Sequence, residues 1–384
     1  MTTVERDLPT DEAHDLLELV RDIARQRLVP QVDDYEDKGT FPREVFTEIG
    51  RAGLLSLPYP EEFGGGAQPY TVYLQVLEEL SAAWGAVGLG ASVHTLSCYP
   101  VAQFGSDAQR ERWLPGMLSG EQLGAYCLSE PTSGSDAAAL RTRAVLSADG
   151  ATYDVTGTKA WITHGGVADF YNLMVRTADT GPHGISCLLA DADTPGLSAA
   201  PPERKMGYRS SQTAQILLDG ATVDSGRRIG EEGQGFTIAL SALDSGRLGI
   251  AACAVGIAQA ALESAVAYAK ERQQFGQRII DFQGLSFMLA DMATQVAAAR
   301  ELYLAAARRR DAGQSFSVQA AMAKLFATDT CMKVTTDAVQ VLGGAGYVRD
   351  FPVERWFREA KVLQIVEGTN QVQRLVIGRH LAKH

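Results

Sequence analysis

The apolar residues of this 384-residue chain change their spacing twice. Up to about residue 120 they recur at helical intervals, as Leu16, Leu17, Leu19, Val20, Ile23 and Ala24 do, the mark of helices with one buried face. Helical stretches are expected over Phe41–Phe46, Leu74–Trp84, Ala91–Phe104 and Asp107–Leu118, with no strand among them. From about 121 to 232 the pattern becomes β. Arg141–Leu146 and Thr152–Gly157 flank Asp149-Gly150, a strong hairpin-turn pair. Tyr171–Val175, Ile185–Leu189 and Ala214–Leu218 are further short strands. From Gly233 the pattern is helical again, in four long segments: Thr237 to about Arg272, Leu285–Arg310, Val318–Val341 and Arg355–Ala382. The expected fold is α+β multidomain: a helical domain over 1–120, a β-sandwich or barrel over 121–232, and a four-helix bundle over 233–384.

Several function classes fall away. A net charge of −11 argues against nucleic-acid binding, which needs a basic face. Five scattered cysteines without a CxxC pair fit free thiols in a reducing, cytoplasmic setting, and neither cysteines nor histidines have metal-ligand spacing. The polar, acidic start is not patterned as a signal peptide. The uncharged run Leu80–Ser106 is too polar and interrupted to span a membrane, and Leu248–Leu262 is too short and reads as a buried helix. No strand leads into a GxGxxG and a helix, so a dinucleotide-binding Rossmann unit is not indicated. Gly343-Gly344-Ala345-Gly346 has the wrong spacing and follows a helix.

Five stretches carry candidate chemistry. Glu367 sits in a Gly/Thr/Asn turn between two helical patterns, with Asn370 and Gln373 spaced as a helix-start pair. On spacing alone it is either a surface carboxylate near a helix start or a base facing a cavity. Tyr126–Asp136 is rich in hydroxyls and free backbone donors, suited to phosphate or a polar ring edge, or an ordinary turn capped by Asp136. Trp161 and Thr163, two apart at a strand end, share a face there and either wall a planar ring or belong to the core. His164 reads as a surface turn residue. Asp244 and Arg247 share one helix face. Arg272 lies near a helix end capped by Gly276.

In this order, Ser129-Glu130-Pro131 with Gly134-Ser135-Asp136, Trp161-Ile162-Thr163, Arg272 with Phe275-Gly276, Gln340 with Gly343-Gly344-Ala345-Gly346, and Glu367-Gly368-Thr369 closely resemble the acyl-CoA dehydrogenase family over nearly the whole chain. Leu240–Gln259 and Gln340–Arg379 look most like its short-chain (butyryl) branch. The resemblance implies an FAD-dependent enzyme, tetrameric, oxidising a short- to medium-chain acyl-CoA, straight or branched, to the trans-2-enoyl-CoA as in fatty-acid β-oxidation. Electrons then go to an electron-transfer flavoprotein. It implies Glu367 as the base that takes the α-proton, the β-hydride passing to flavin N5. Tyr126, Leu128, Ser129, Gly134, Ser135, Trp161, Ile162 and Thr163 would line the flavin. Thr369 and Gln371 would touch it beside the catalytic turn. Arg272, Gln274, Phe275, Gln283, Gln340, Gly343 and Gly344 would reach the FAD of a neighbour. Ser135, Asp244, Arg247, Gly368 and Arg379 would hold acyl-CoA. Apolar neighbours such as Ile365 and Val366 should raise the pKa of Glu367.

The chain also departs from the family pattern. Val366 stands where many relatives have Tyr, which would open the pocket to a bulkier acyl group. Gly246 stands where another branch places its base. Phe282 replaces a His used near FAD by some relatives. Two further readings accompany the resemblance: the same fold acting on a carrier-protein-bound acyl group in a biosynthetic route, and a non-catalytic flavoprotein subunit.

Overall fold

The computed structural model describes residue 4 and residues 6–383. Six helices come first: α1 Asp11–Ile23, α2 Val32–Lys38, α3 Arg43–Arg51, α4 Tyr70–Ala83, α5 Gly85–Phe104 and α6 Asp107–Leu118. Ser106 and Gln109 form a reciprocal capping box at the start of α6, which fixes its first turn. α5 begins six residues before the expected Ala91 because Gly85, Gly88 and Gly90 read as breaks. They are sites of close approach instead. A Cβ on Gly88 would lie 1.9 Å from Ser81 Oγ, and one on Gly90 would lie 2.4 Å from the Phe46 ring. Tertiary packing overrides the low helix propensity of glycine here, and α5 is buried along almost all its length.

Eight strands follow: β1 Gly124–Cys127, β2 Arg143–Leu146, β3 Thr152–Thr163, β4 Phe170–Arg176, β5 Ile185–Asp191, β6 Leu197–Ala199, β7 Thr213–Asp224 and β8 Arg228–Ile229. They form one sheet in the order β6-β7-β3-β2-β4-β5-β8, with β1 parallel to β4. β2 and β3 pair antiparallel across the Asp149-Gly150 turn. Inward residues of β1, β2, β3, β4, β5 and β7, among them Cys127, Val155, Leu173 and Ile216, share one apolar core. The sheet therefore curls around its own interior.

The C-terminal part has α7 Gly235–Glu271, a small hairpin (β9 Gln273–Gln274, β10 Gln277–Arg278), α8 Gln283–Asp311, α9 Ser317–Leu342, the short α10 Gly344–Tyr347, α11 Val353–Leu363 and α12 Asn370–Leu381. The fourth long helical segment is two helices, α11 and α12, separated at the expected Glu367 turn. Gly276, expected to cap α7, sits instead in the hairpin turn at φ +81°; α7 is closed by Arg272, whose N–H donates to the Tyr268 carbonyl. α7 is the one helix among the described residues long and apolar enough to cross a membrane, and 67% of its most apolar window is buried inside the protein. The two helical parts are not separate bodies. Residues from Leu17 of α1 to Leu363 of α11 form one continuous core. Along the other side, α5, α6 and the start of α7 pack on the sheet through Cys98, Met117, Phe170 and Ile238. The seam where sheet, α5 and α7 meet is where the candidate site lies.

Candidate active site

The turn between α11 and α12 is held from three sides. Glu367 and Gly368 both have left-handed backbones, φ +54° and +85°. That conformation is costly for a non-glycine residue and persists only where the surroundings enforce it. Gln373 Nε2 donates to the carbonyls of Gly368 (2.7 Å) and Glu367 (3.2 Å). Lys324 Nζ on α9 donates to the Gly368 carbonyl (3.0 Å) and Asn370 Oδ1 (2.8 Å). Asn370 Nδ2 in turn donates to Thr328 Oγ1 and Asp329 Oδ1. The Asn370–Gln373 pair is thus not a capping pair. Thr369 caps α12 by accepting from Val372 N at 3.3 Å, and Asn370 and Gln373 are spent on holding the turn.

Glu367 points into a cavity of about 380 Å³. Its Oε2 is buried and has no hydrogen-bond partner among the described residues. Burial pushes its pKa up to about 7 against the pull of Arg247 and then Lys324. The cause expected from sequence needs adjusting, since Ile365 is about half exposed. Gly246 on α7 makes room for the carboxylate: a Cβ there would stand 2.7 Å from Glu367 Oε2. Beside it, Arg247 is buried and paired with Asp244 Oδ1, which also accepts from Ser317 Oγ. Arg247 Nε is buried without a partner.

The opposite wall is the end of β1, the loop after it and the end of β3. Tyr126, Leu128, Ser129, Gly134, Ser135, Trp161, Ile162 and Thr163 all line the same cavity as Arg247, Glu367, Gly368 and Thr369. Trp161 is 64% exposed and has φ +63°. It is not a core Trp, and the register break between Lys159 and Ile162 disrupts the simple alternation expected of Trp161 and Thr163. The loop is pinned by a buried ion pair. Lys159 Nζ lies 2.8 Å from Glu130 Oε1 and also donates to the Leu128 carbonyl. Glu130 accepts the backbone N–H of Arg141 and Thr142. Burial opposes ionisation of Glu130, yet Lys159 and these donors hold its carboxyl below the usual range. Removing one partner of a buried pair strands the other charge. Lys159→Met is therefore expected to cost about 3–5 kcal/mol in urea unfolding and to loosen the cavity wall.

Two local expectations fail. Asp136 makes no side-chain cap to the short turn Ala137–Ala139; Ser133 Oγ donates to the Asp136 carbonyl instead. His164 is fully buried, its Nδ1 2.9 Å from the Gly124 carbonyl, packed edge-on to Phe41 and Phe46. It is in a turn, as expected, but the turn folds back under α3 and α5.

Other expected residues lie outside the cavity. Asp244 supports Arg247 and does not line it. Gln371 and Arg379 are exposed on α12. Arg272, Gln274, Phe275 and Gln283 are exposed on and beside the hairpin after α7, and Gln340, Gly343 and Gly344 are exposed at the end of α9. The sequence reading missed Leu89, Val93 and Leu96 of α5 and Leu240, Leu243 and Ile250 of α7, which line the cavity. Their helical spacing was visible, but it looks the same as that of a core face. It also missed Lys324, a lone lysine on a largely apolar helix face. Beyond Gly246 and Leu96 lies a further cavity of about 10 Å³, walled by Tyr59, Tyr70, Tyr99 and Arg310.

No group of acidic, His or Cys side chains among the described residues is placed to hold a metal ion. Three family models match in succession: the acyl-CoA dehydrogenase N-terminal domain over residues 10–121, the middle domain over 125–221 and the C-terminal domain over 233–382. The chain is 44% identical over 374 residues to an acyl-CoA dehydrogenase of Bacillus subtilis (strain 168), covering 97% of this chain and 98% of that one. Its fold matches butyryl-CoA dehydrogenase from Megasphaera elsdenii with a TM-score of 0.96 at 41% identity, covering 99% of this chain and 100% of the other. A chain in a structure described as electron transferring flavoprotein of Acidaminococcus fermentans matches equally, at TM-score 0.96 and 40% identity over 99% of this chain and 100% of that one. The chain therefore belongs to the acyl-CoA dehydrogenase family of oxidoreductases.

Proposed function

We propose that this chain binds FAD and dehydrogenates a short-chain acyl-CoA to the trans-2-enoyl-CoA, with Glu367 taking the α-proton. The observation that carries the reading is the partnerless, buried Glu367 Oε2, facing across one cavity a wall suited to a planar ring. That wall fits FAD. Trp161 offers an open ring face, and the buried Tyr126 hydroxyl lacks a partner. Ser129, Ser135 and Thr163 bring further hydroxyls, and Gly134 leaves room for close approach. Tyr126, Leu128, Ser129, Gly134, Ser135, Trp161, Ile162 and Thr163 would hold the cofactor from one side, Thr369 and Gln371 from the other. Bound there, FAD supplies the acceptor for the hydride lost from the substrate β-carbon.

The protein's own groups do the rest. Glu367 is held at the proton it removes by the turn, and its raised pKa makes it a usable base near neutral pH. The apolar side chains of α5 and α7 keep water away. Arg247, with Asp244 fixing it, places a cation beside the thioester site with Ser135 and Gly368, and Arg379 would act further out. The exposed Arg272, Gln274, Phe275, Gln283, Gln340, Gly343 and Gly344 would serve the FAD of a neighbouring copy. Phe275 is 94% exposed, which supports a homo-oligomer such as a tetramer. The likeness to the Acidaminococcus chain supports an electron-transfer flavoprotein as acceptor.

A short acyl group is favoured because Leu96, which lines the site, also walls the adjoining cavity of only about 10 Å³, enclosed by Tyr59, Tyr70, Tyr99 and Arg310. A long aliphatic tail would have to displace those buried rings to gain room. Anaerobic mixing with butyryl-, isobutyryl- and octanoyl-CoA tests this. Bleaching of the bound flavin should be faster with either four-carbon thioester than with octanoyl-CoA. No bleaching with any of them would defeat the proposed function.

A further inference from the structure

We propose that Lys324 is a positioning residue for the base: its ammonium group locks the Glu367–Gly368 turn and, when protonated, acts as a cation on the Glu367 carboxylate. This rests on the dehydrogenase reading above and names a part of the machinery outside the cavity wall. Lys324 is fully buried, on a face of α9 that it shares with Ala320, Ala321, Ala323, Ala327 and Thr328. A buried ammonium is costly unless its protons are used. Its two bonds go to Gly368 O and Asn370 Oδ1, on either side of Thr369. It thus ties the C-terminal side of the left-handed turn to a long helix. Gln373 also donates to the Gly368 carbonyl, and to that of Glu367, from α12, but it is neutral and belongs to the element that the turn introduces. Lys324 anchors the turn from outside, beside Thr328 and Asp329 of the same helix, and is the cationic member of that set.

The charge has a second consequence. The groups that face Glu367 are Arg247 with its partner Asp244 on α7 and Lys324 on α9, with the hydroxyls of Tyr70 (α4) and Tyr126 (β1) also within its field. Asp329 of α9 acts on Lys324 and is itself paired with Arg374 of α12. Arg310 of α8 lies beyond Gly246, stacked on the Tyr70 ring. Of the two cations acting on Glu367, Arg247 is shared with Asp244. Among the described residues, the hydrogen bonds of Lys324 go to the Gly368 carbonyl and Asn370 Oδ1 and to no carboxylate. Burial pulls the Lys324 pKa down to about 7, while Glu367 and Asp329 act to raise it. Base and lysine therefore titrate in the same range as a coupled pair. Both cations lower the pKa of Glu367, so loss of Lys324 raises it. The pH at which the base ionises moves up.

The test compares Lys324→Met with Lys324→Gln, both neutral, in the FAD-loaded protein. The rate of anaerobic flavin bleaching by butyryl-CoA is followed against pH. Deuterium exchange over residues 364–373 is followed without substrate. Both variants should shift the ascending pH limb upward, and Lys324→Met should lower the limiting rate roughly a hundredfold, the scale of a misplaced catalytic group. The amides of Asn370, Val372 and Gln373, protected by bonds within the turn, should exchange at least about tenfold faster in Lys324→Met. If Lys324→Met does not accumulate with flavin, Lys324→Gln carries both readouts. A flavin-loaded variant with the wild-type pH limb, limiting rate and exchange overturns the proposal. If wild type itself is not bleached by any acyl-CoA, the dehydrogenase reading falls separately. Exchange then decides alone: unchanged protection in the variants overturns the role of Lys324, and lost protection upholds its hold on the turn.

Discussion

Replacing Glu367 with Gln should leave a folded, yellow protein whose flavin is reduced by butyryl-CoA roughly 10²–10⁴-fold more slowly, the usual worth of a positioned general base. The swap is nearly isosteric, so the turn held by Lys324 and Gln373 should survive. The loss should fall on the limiting rate of reduction with FAD binding retained. In wild type the rate should rise with pH through about 7, where Glu367 ionises, because only the carboxylate accepts the proton. Stability gives an independent reading with a fixed sign. The folded-state pKa of Glu367 is raised from 4.5 to about 7. Between those values the folded chain binds a proton that the unfolded chain has released, so this group's contribution to stability falls as pH rises. Wild type should lose thermal stability relative to Glu367→Gln across that window and keep a constant deficit above it.

Gly246→Ala should separate activity from stability. The new Cβ would sit 2.7 Å from Glu367 Oε2 and 3.4 Å from Leu96 Cδ1. The nearer atom is the free end of a flexible side chain, so the carboxylate gives way and the backbone stays. Within a helix, Ala is favoured over Gly by about 1 kcal/mol, so the thermal midpoint should hold or rise. The displaced base should bring a loss of roughly a hundredfold in the rate of flavin reduction. Equal thermal midpoints with wild-type reduction kinetics would show that Glu367 does not work from the position seen here.

The sequence made the broad layout legible because hydrophobic period reports burial on one face. The switches near 121 and 233 correspond to the end of α6 at Leu118 and the start of α7 at Gly235. The failures have physical causes. Gly85, Gly88 and Gly90 are breakers by propensity, yet their lack of a side chain is what lets α5 run against Ser81, Phe46 and Glu359. His164 is polar and sits in a turn, but the direction in which that turn folds depends on α3 and α5, far away in sequence. The cavity wall was legible through the family resemblance, carried by motifs around residues such as Trp161 and Glu367 whose spacing alone left their roles open. Residues that contribute only volume, such as Val93 and Leu243, carry no such mark. Lys324 is set by the other end of its hydrogen bonds, 44 and 46 positions along the chain, so no local pattern reveals it. The residues read as serving a neighbour's cofactor are exposed within one chain, and their role depends on assembly.

Single-turnover reduction by butyryl-CoA, in anaerobic wild type and Glu367→Gln across pH, decides whether Glu367 is the base of this site. Wild type should bleach with one ascending ionisation near pH 7, and the Gln variant, still loaded with FAD, should bleach orders of magnitude more slowly at every pH. A flavin-loaded Glu367→Gln protein that bleaches at the wild-type rate would contradict the account.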